Sequence, residues 1–325
     1  MIQKYQDHLP FHRQETQFQR IGADISRQDM SNWQQHIYNF LTPLFELLRE
    51  VIKTGSVMRM DETTSQVMGE KDRKDTQNSY IWLSRGGPPG KTVVIYDYRE
   101  TRSSENAIEL LRGFFGYLQT DGYEGYDVAV RNLSGIIHVG CMAHSRRRFF
   151  EASKATKKPQ SAEEGLKFIR KLYEIENTLR ERKLSDDVFV FERKKLAEPV
   201  LSDFHKWLNK RANEVLPSCL LGKAVAYTLK QWDKLIRYLE SPYLTPDNNA
   251  AEQAIRPYVV GRKNHLFNKS PEGARSSCGM YTLVETAKQN GVEPSKYLRE
   301  LFEKSPFAVS TEDWEKLLPW NIFKS

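Results

Sequence analysis

Three short runs of β-forming residues follow one another from Ser56, and they constrain the fold more than any other feature of the chain. Their sequences are SVMRMDET, SYIWLS and TVVIYDY, and the loop RGGPPGK joins the second run to the third. Runs this close together, separated by turn-forming residues, are typical of an antiparallel meander. We therefore expect residues 56–98 to form three neighbouring strands of one sheet.

The segment after the meander alternates between helix and strand signals. A helical pattern in SSENAIELLRGFF precedes the strand-like YLQTD, and a turn at Gly122 and a short helix lead to the apolar GIIHVG. The order β-β-β-α-β-α-β is that of a mixed α/β sheet with flanking helices.

Helical segments stand on both sides of this block. Residues 1–55 show no strand-like alternation, and FQRIGADISRQDMSNW reads as a helix, a turn at Gly22 and a second helix capped by Ser26. This pattern fits a DNA-binding helix-turn-helix and fits two scaffold helices equally well. The charged stretch from Ser161 to Glu240 carries no strand signal, which predicts an α-helical insertion.

Composition narrows the class of protein. The chain has 49 Lys and Arg against 42 Asp and Glu, a net charge of +7, which favours a polyanionic partner without establishing one. Three widely spaced cysteines argue against a disulfide framework and indicate a reducing, cytoplasmic setting. No apolar run approaches the ~20 residues that span a bilayer, and the N-terminus lacks the apolar core of a signal peptide.

Three acids have positions that suit metal binding. We expect Asp61 at the carboxyl end of the first strand and Asp121 at that of the fourth, on neighbouring strands. Carboxylates held close together repel unless cations lie between them, and Mg²⁺ prefers such hard oxygen ligands. The third acid is expected from a helix beside the sheet, and Glu252 is the candidate.

The helix around Glu252 has readable limits. Asp247 is a suitable N-cap for a short helix from Asn248 to Arg256, which Pro257 would end or kink. Simpler interpretations stay open, because a strand-end aspartate is often a turn former and Glu252 can pair with Arg256 four residues on.

A second polar cluster follows the sheet. Cys141 and His144 are spaced like half of a metal site, although no second pair of ligands is near in sequence. Arg146, Arg147 and Arg148 suit phosphate contacts or form a solvated helix face.

Five motifs together resemble the transposases of the insertion-sequence-66 type, a group with an Asp-Asp-Glu catalytic triad. The motifs, in the family's order over nearly the whole chain, are MRMDET, YLQTDGYEGY, GCMAHSRRRFFEA, DNNAAEQAIRPYVVGRKNHLF and TAKQNGVEPSKYL. The resemblance implies a ribonuclease-H-like catalytic domain interrupted by a helical insertion. The implied limits are 1–55 for the helical N-terminal segment, 56–150 and 246–325 for the two parts of the catalytic domain, and 151–245 for the insertion.

The resemblance also implies roles for individual residues. Asp61, Asp121 and Glu252 match the triad and would bind two Mg²⁺ or Mn²⁺ ions. The candidates for DNA phosphate contacts are Arg146, Arg147, Arg256, Arg262 and Lys263. Cys141, His144 and Asn249 are auxiliary candidates.

The implied activity is metal-dependent cleavage and strand transfer at the ends of an insertion sequence. Expected partners are DNA, further copies of the chain on that DNA and accessory proteins of the same element, in the cytoplasm at the bacterial nucleoid. Family members usually carry an N-terminal extension that this sequence lacks, which suggests a truncated or shortened copy, or one part of a split system. Two alternatives are a catalytically silent DNA-binding remnant and a ribonuclease-H-like nuclease acting on branched DNA or hybrids.

Overall fold

The computed structural model describes residues 1–155 and 160–324, and these form a mixed α/β fold. Residues 156–159, which belong to the predicted insertion, and Ser325 lie outside the described residues. Two compact units make up the chain. The first comprises Met1–Gly116, Val128–Ile136 and Ala250–Ser325, and the second comprises Tyr117–Asp127 and Ile137–Asn249.

Six strands form one mixed sheet. They are β1 (Val57–Val67), β2 (Asn78–Gly86), β3 (Val93–Arg99), β4 (Gly116–Gln119), β5 (Ile136–Val139) and β6 (Phe267–Asn268). The sheet order is β3-β2-β1-β4-β5, and β6 pairs with β1 in parallel. The predicted antiparallel meander is confirmed, and β1 is the neighbour of β4 as the ribonuclease-H-like arrangement requires.

Helices account for most of the remaining described chain. In chain order they are α1 (Ile2–Tyr5), α2 (Phe11–Arg20), α3 (Arg27–Phe40), α4 (Thr42–Lys53), α5 (Ser104–Leu111), α6 (Glu124–Asn132), α7 (Met142–Lys154), α8 (Gln160–Glu181), α9 (Asp186–Glu214), α10 (Leu220–Lys230), α11 (Trp232–Ile236), α12 (Asn249–His265), α13 (Pro271–Gln289), α14 (Pro294–Lys304) and α15 (Thr311–Lys316). Two 3₁₀ turns, Arg237–Glu240 and Ser305–Phe307, follow α11 and α14.

The edge strand β3 is covered by α13. The hydroxyl of Thr282 accepts a hydrogen bond from the backbone N–H of Tyr96 at 3.0 Å, and the hydroxyl of Thr286 accepts one from Val94 at 3.1 Å. These bonds satisfy backbone donors that an edge strand would otherwise leave open to another strand. Helix α13 therefore closes this side of the sheet.

The N-terminal helices show the predicted turn and cap. Gly22 follows α2 with φ of +77°, and Ser26 forms a reciprocal capping box with Asp29 at the start of α3. The buried amide of Gln34 donates to the hydroxyl of Ser276 at 2.6 Å, so one face of α3 is packed on α13. A DNA-reading role for the opposite face stays a prediction.

The second unit is helical from Met142 onward, with no strand among its described residues after β5. The side chain of Arg193 on α9 is fully buried. It donates to the carboxylate of Glu176 on α8 at 3.0 Å and to the carbonyl oxygens of Tyr238 and Ser241. The buried guanidinium thus connects α8, α9 and the segment that leads to α12.

No helix among the described residues combines the length and apolarity needed to cross a membrane.

Candidate active site

Asp61 lies in the middle of β1, paired across the strands with Leu83 of β2. The prediction that Asp61 ends the first strand is wrong, because β1 continues to Val67 and keeps its pairing as far as Gln66 opposite Asn78. The residues after Asp61 are polar yet include two β-branched threonines, which suit an extended strand. The half-buried carboxylate of Asp61 accepts a hydrogen bond from the backbone N–H of Glu62 at 2.9 Å.

Glu62 is an acid that the sequence motifs did not single out. Its side chain is 2% exposed and pairs with Arg102, whose Nε lies 2.6 Å from Glu62 Oε1. Successive side chains of a strand point to opposite faces, so Glu62 and Asp61 lie on different sides of the sheet. The arginine compensates the buried charge of Glu62, which suits a structural role for this carboxylate.

Glu252 lies half-buried in the first turn of α12. Asp247 supports the helix start as predicted, because its Oδ1 accepts from the backbone N–H of Asn249 at 3.0 Å and its Oδ2 from the Asn249 side chain at 2.9 Å. The expected end at Pro257 is wrong, since α12 continues to His265 with the proline inside it. The contacts of the following turns with β1 hold the helix together past the missing N–H donor.

Helix α12 is fixed to the strand that carries Asp61. The hydroxyls of Tyr258 and Ser65 lie 2.7 Å apart in the core. Arg262 donates from Nη1 to the hydroxyls of Thr63 and Thr64 at 3.2 and 3.1 Å. Asp61 and Glu252 thus belong to two elements of the first unit that are hydrogen-bonded to each other.

The predicted phosphate contacts on α12 differ in exposure. Arg256 and Lys263 are exposed, whereas Arg262 is half-buried and engaged with β1. The structure therefore leaves Arg256 and Lys263 accessible to a polyanion and gives Arg262 a packing contact as well.

In the second unit, Asp121 follows β4 by two residues, as expected. Its Oδ1 accepts from the backbone N–H of Tyr123 at 2.9 Å, which closes a turn through Gly122. A Cβ atom on Gly122 would lie 2.6 Å from the hydroxyl oxygen of Tyr227, so a larger residue here would force the Tyr227 side chain to shift. The turn thereby holds the Asp121 side chain in one direction.

A chain of hydrogen bonds that passes through the buried His138 ends beside Asp121. Lys234 Nζ lies 2.6 Å from Asp127 Oδ1, and the same oxygen lies 2.8 Å from His138 Nδ1. On the other side of the ring, His138 Nε2 lies 2.8 Å from the hydroxyl of Thr120, the residue before Asp121. No motif identified His138 or Asp127, because a lone histidine in an apolar strand and an aspartate eleven residues earlier carry no joint pattern.

The protonation of this chain follows from its surroundings. Burial lowers the pKa of His138, against the opposing effect of its hydrogen bond to Asp127. Burial alone would raise the pKa of Asp127, but hydrogen bonds from His138 and Lys234 hold that pKa well below its usual range. A carboxylate only accepts, so a neutral His138 carries its hydrogen on Nδ1 and accepts from Thr120 at Nε2.

The auxiliary residues lie at the start of α7. Cys141 is buried, and its Sγ accepts from the backbone N–H of Asn248 at 3.2 Å. His144 is half-buried in the first turn, and Asn249 is exposed at the start of α12. The Sγ contact ties the beginning of α7 to the segment before α12.

Three consecutive arginines follow on α7. Arg146 and Arg147 are exposed, as a phosphate contact requires. Arg148 is exposed as well, and its guanidinium stacks on the ring of Tyr227, with the guanidinium carbon 4.1 Å from the ring centroid. All three arginines therefore reach solvent, and Arg148 also has an aromatic contact.

Comparison with known proteins gives these residues a family. The model of the transposase IS66 family matches residues 1–276, and that of the IS66 C-terminal element matches residues 282–320. The chain belongs to the IS66 transposase family. The expected resemblance is thereby confirmed over nearly the whole chain.

Relatives of this IS66 family member come from Sinorhizobium fredii (strain NBRC 101917 / NGR234). The uncharacterized protein y4qI is 31% identical over 332 aligned residues, which cover 99% of this chain and 61% of the relative. The uncharacterized protein y4jD is 28% identical, with 99% of this chain and 64% of the relative covered. The chain thus spans about three fifths of the length of these relatives.

Proposed function

We propose that this chain is the catalytic core of a DNA transposase, which cleaves phosphodiester bonds at the ends of an insertion sequence and transfers the freed strand to target DNA. The proposal is supported by membership of the IS66 transposase family. The observation that carries it is the direct bonding of α12 to β1, which holds the elements of Glu252 and Asp61 together.

The donor set fits a divalent cation. Asp61, Asp121 and Glu252 are half-buried carboxylates, and Mg²⁺ and Mn²⁺ prefer such hard oxygen donors. Two bound ions would activate the attacking oxygen and stabilise the leaving one. Within the chain, the turn at Gly122 directs the Asp121 side chain, and the β1 pairing with β2 holds Asp61.

The cations on the surface have a separate role in the proposal. Arg256 and Lys263, together with Arg262 and with Arg146 and Arg147 of the second unit, would contact DNA phosphates. Such contacts position the strand and carry no base specificity. Assembly of several copies on DNA, accessory proteins of the same element and action on nucleoid DNA in the bacterial cytoplasm belong to the same proposal.

The experiment compares nicking and strand transfer on DNA that carries the element's ends, with Mg²⁺, Mn²⁺ or a chelator. We expect activity only with metal, and a loss of at least about a hundredfold in Asp61→Asn, Asp121→Asn and Glu252→Gln, because each removes a ligand charge. Glu272→Gln is the matched control, since Glu272 is also a carboxylate in the first turn of a helix and is exposed.

Two outcomes would reject the proposal. Full activity in Asp61→Asn or Glu252→Gln would show that the triad does not take part in the reaction. Salt-sensitive DNA binding by the unaltered chain, without nicking under either metal, would instead favour a DNA-binding protein that no longer cuts.

A further inference from the structure

A groove of about 620 Å³ lies between α7 and α8, entirely within the second unit. Its lining residues are Arg146, Phe150, Ser153, Lys154, Glu163, Leu166, Lys167, Arg170 and Tyr173. On α7 they recur at spacings of four, three and one residues, and on α8 at three, one, three and three. Such spacings place each set on a single helix face, so the groove has two helical walls.

The walls carry an excess of positive charge. Arg146 and Lys154 on α7 and Lys167 and Arg170 on α8 face one acid, Glu163. Within residues 1–155 and 160–324, no Asp or Glu oxygen lies within 4 Å of any of these four cations.

Two other acids of α8, Glu164 and Glu176, are directed towards α9. Glu164 pairs with Arg211 at 3.0 Å and accepts from the indole N–H of Trp207 at 2.8 Å. Glu176 pairs with the buried Arg193 at 3.0 Å. The helix thus directs these carboxylates to its packed face and presents cations on its open face.

An aromatic ring adds apolar surface to the groove. Phe150 is 46% exposed on the α7 wall, and the ammonium of Lys154 lies 5.4 Å from its ring centroid. A ring flanked by cations suits a sugar-phosphate chain, since the ring offers a stacking or packing surface while the cations meet the phosphates.

We propose that the groove between α7 and α8 is a DNA-binding site that extends from Arg146 to Lys154, Lys167 and Arg170. The choice of DNA as the polyanion rests on the proposed function. From Arg146 to Lys154 the α7 wall is about 12 Å long at the helical rise of about 1.5 Å per residue, enough to follow about three phosphates of one strand. The three added cations, Lys154, Lys167 and Arg170, lie outside the five family motifs.

The test measures the affinity of the full chain for a duplex oligonucleotide across a series of salt concentrations. In Lys167→Gln/Arg170→Gln we expect affinity to fall about tenfold at low salt. The slope of log affinity against log salt should become shallower by about 2, since each lost phosphate contact contributes about 0.9. The matched control is Lys171→Gln/Lys194→Gln, which removes the same charge at exposed positions of α8 and α9 outside the groove.

A second variant examines the other wall. Arg146→Gln/Lys154→Gln should reproduce both changes, and circular dichroism melting of all variants separates a loss of binding from a loss of folding. Equal losses in the groove and control variants would show that only net charge matters and would overturn the proposal. Unchanged affinity in folded groove variants would also overturn it.

Two further comparisons identify the ligand and separate this proposal from the preceding one. Tighter groove-dependent binding of RNA than of DNA of matched length would overturn the choice of DNA. If the chain fails to cleave DNA but the groove variants lose binding as expected, the groove proposal stands while the catalytic proposal fails. If the chain cleaves DNA and the groove variants bind DNA as well as the unaltered chain does, the catalytic proposal stands while the groove proposal fails.

Discussion

Asp127 and His138 are joined by a hydrogen bond of 2.8 Å between Oδ1 and Nδ1, within a chain that runs from Lys234 to Thr120. His138 is 3% exposed, and its backbone carbonyl also accepts from Arg237 at 2.8 Å. The segment just before Asp121 is therefore held by side chains from β5, α6 and α11. This support is independent of the acid's own turn at Gly122.

Replacing Asp127 should destabilise the second unit. In Asp127→Asn we expect the free energy of unfolding at pH 7 to fall by about 1–3 kcal/mol, because Lys234 and His138 lose a charged acceptor. Since the pKa of Asp127 is lower in the folded chain than in the unfolded one, this contribution is present above about pH 4 and lost below it. Urea unfolding at pH 7 and at a pH below about 4 measures the change in the free energy of unfolding, with the exposed Asp203→Asn as control. Equal stability of Asp127→Asn and the unaltered chain at pH 7 would contradict it.

His265 should make the first unit sensitive to mild acid. Burial, with the nearby charge of Lys4, lowers the pKa of His265 to about 4. The unfolded chain, with a histidine pKa of about 6.5, then binds a proton that the folded chain does not, so stability falls as the pH drops from about 6.5 towards 4. When the pH is lowered from 7 to 5, we expect the free energy of unfolding of His265→Gln to fall by roughly 2 kcal/mol less than that of the unaltered chain. Denaturant unfolding at the two pH values tests this, with the exposed His12→Gln as control, and parallel pH profiles would disprove it.

A side chain at Gly122 should be destabilising while Tyr227 keeps its hydroxyl. Gly122→Ala places a Cβ 2.6 Å from that oxygen, and the strain should cost about 1–3 kcal/mol and displace the Asp121 turn. Adding Tyr227→Phe removes the closest atom and should recover part of both losses, although ring carbons remain at 3.0 Å or more. Melting temperature and DNA nicking are the readouts, and Gly273→Ala, whose new Cβ would meet nothing closer than 3.5 Å, is the control. Absence of any recovery in the double variant would argue against the steric explanation.

Arg193 should be among the residues least tolerant of substitution in the second unit. Arg193→Met leaves Glu176 without this buried partner and frees the carbonyl oxygens of Tyr238 and Ser241, at an expected cost of about 3–5 kcal/mol. Urea unfolding measures the loss. Lys206→Met on the exposed face of the same helix should change stability by less than about 0.5 kcal/mol. Similar losses of unfolding free energy in the two variants would show that the buried Arg193–Glu176 pair contributes no more to stability than the exposed Lys206.

Much of the fold could be predicted from short-range patterns. The three-strand meander, the turn at Gly22 and the cap at Ser26 all occur where predicted. Gly291, which follows α13 with φ of +70°, and Pro294, which begins α14, are local signals of the same kind. The turn and the caps depend on residues within about four positions of one another, so the local sequence is sufficient to predict them. The meander joins strands that are neighbours along the chain, and turn-forming residues between them indicate it.

Other features depended on contacts between distant residues. Asp61 lies in the middle of its strand because β2 continues to pair with the polar second half of β1. Helix α12 continues beyond Pro257 because Tyr258 and Arg262 form hydrogen bonds with the same half of β1. The candidate acids were predicted from their positions relative to the expected strands and helix and from motif resemblance, whereas the support of Asp121 by His138 and Asp127 is visible only in the fold.

The sequence by itself determined where strands, turns and caps form, and which acids and cations are available for chemistry. The tertiary structure decided which of them meet. The Asp127–His138 bond, the Glu176–Arg193 pair and the uncompensated cations of the α7–α8 groove all follow from which helix face packs inward. That choice is made by the packing of whole elements, because burial of apolar area and pairing of buried charge are properties of the assembled core and not of any short segment.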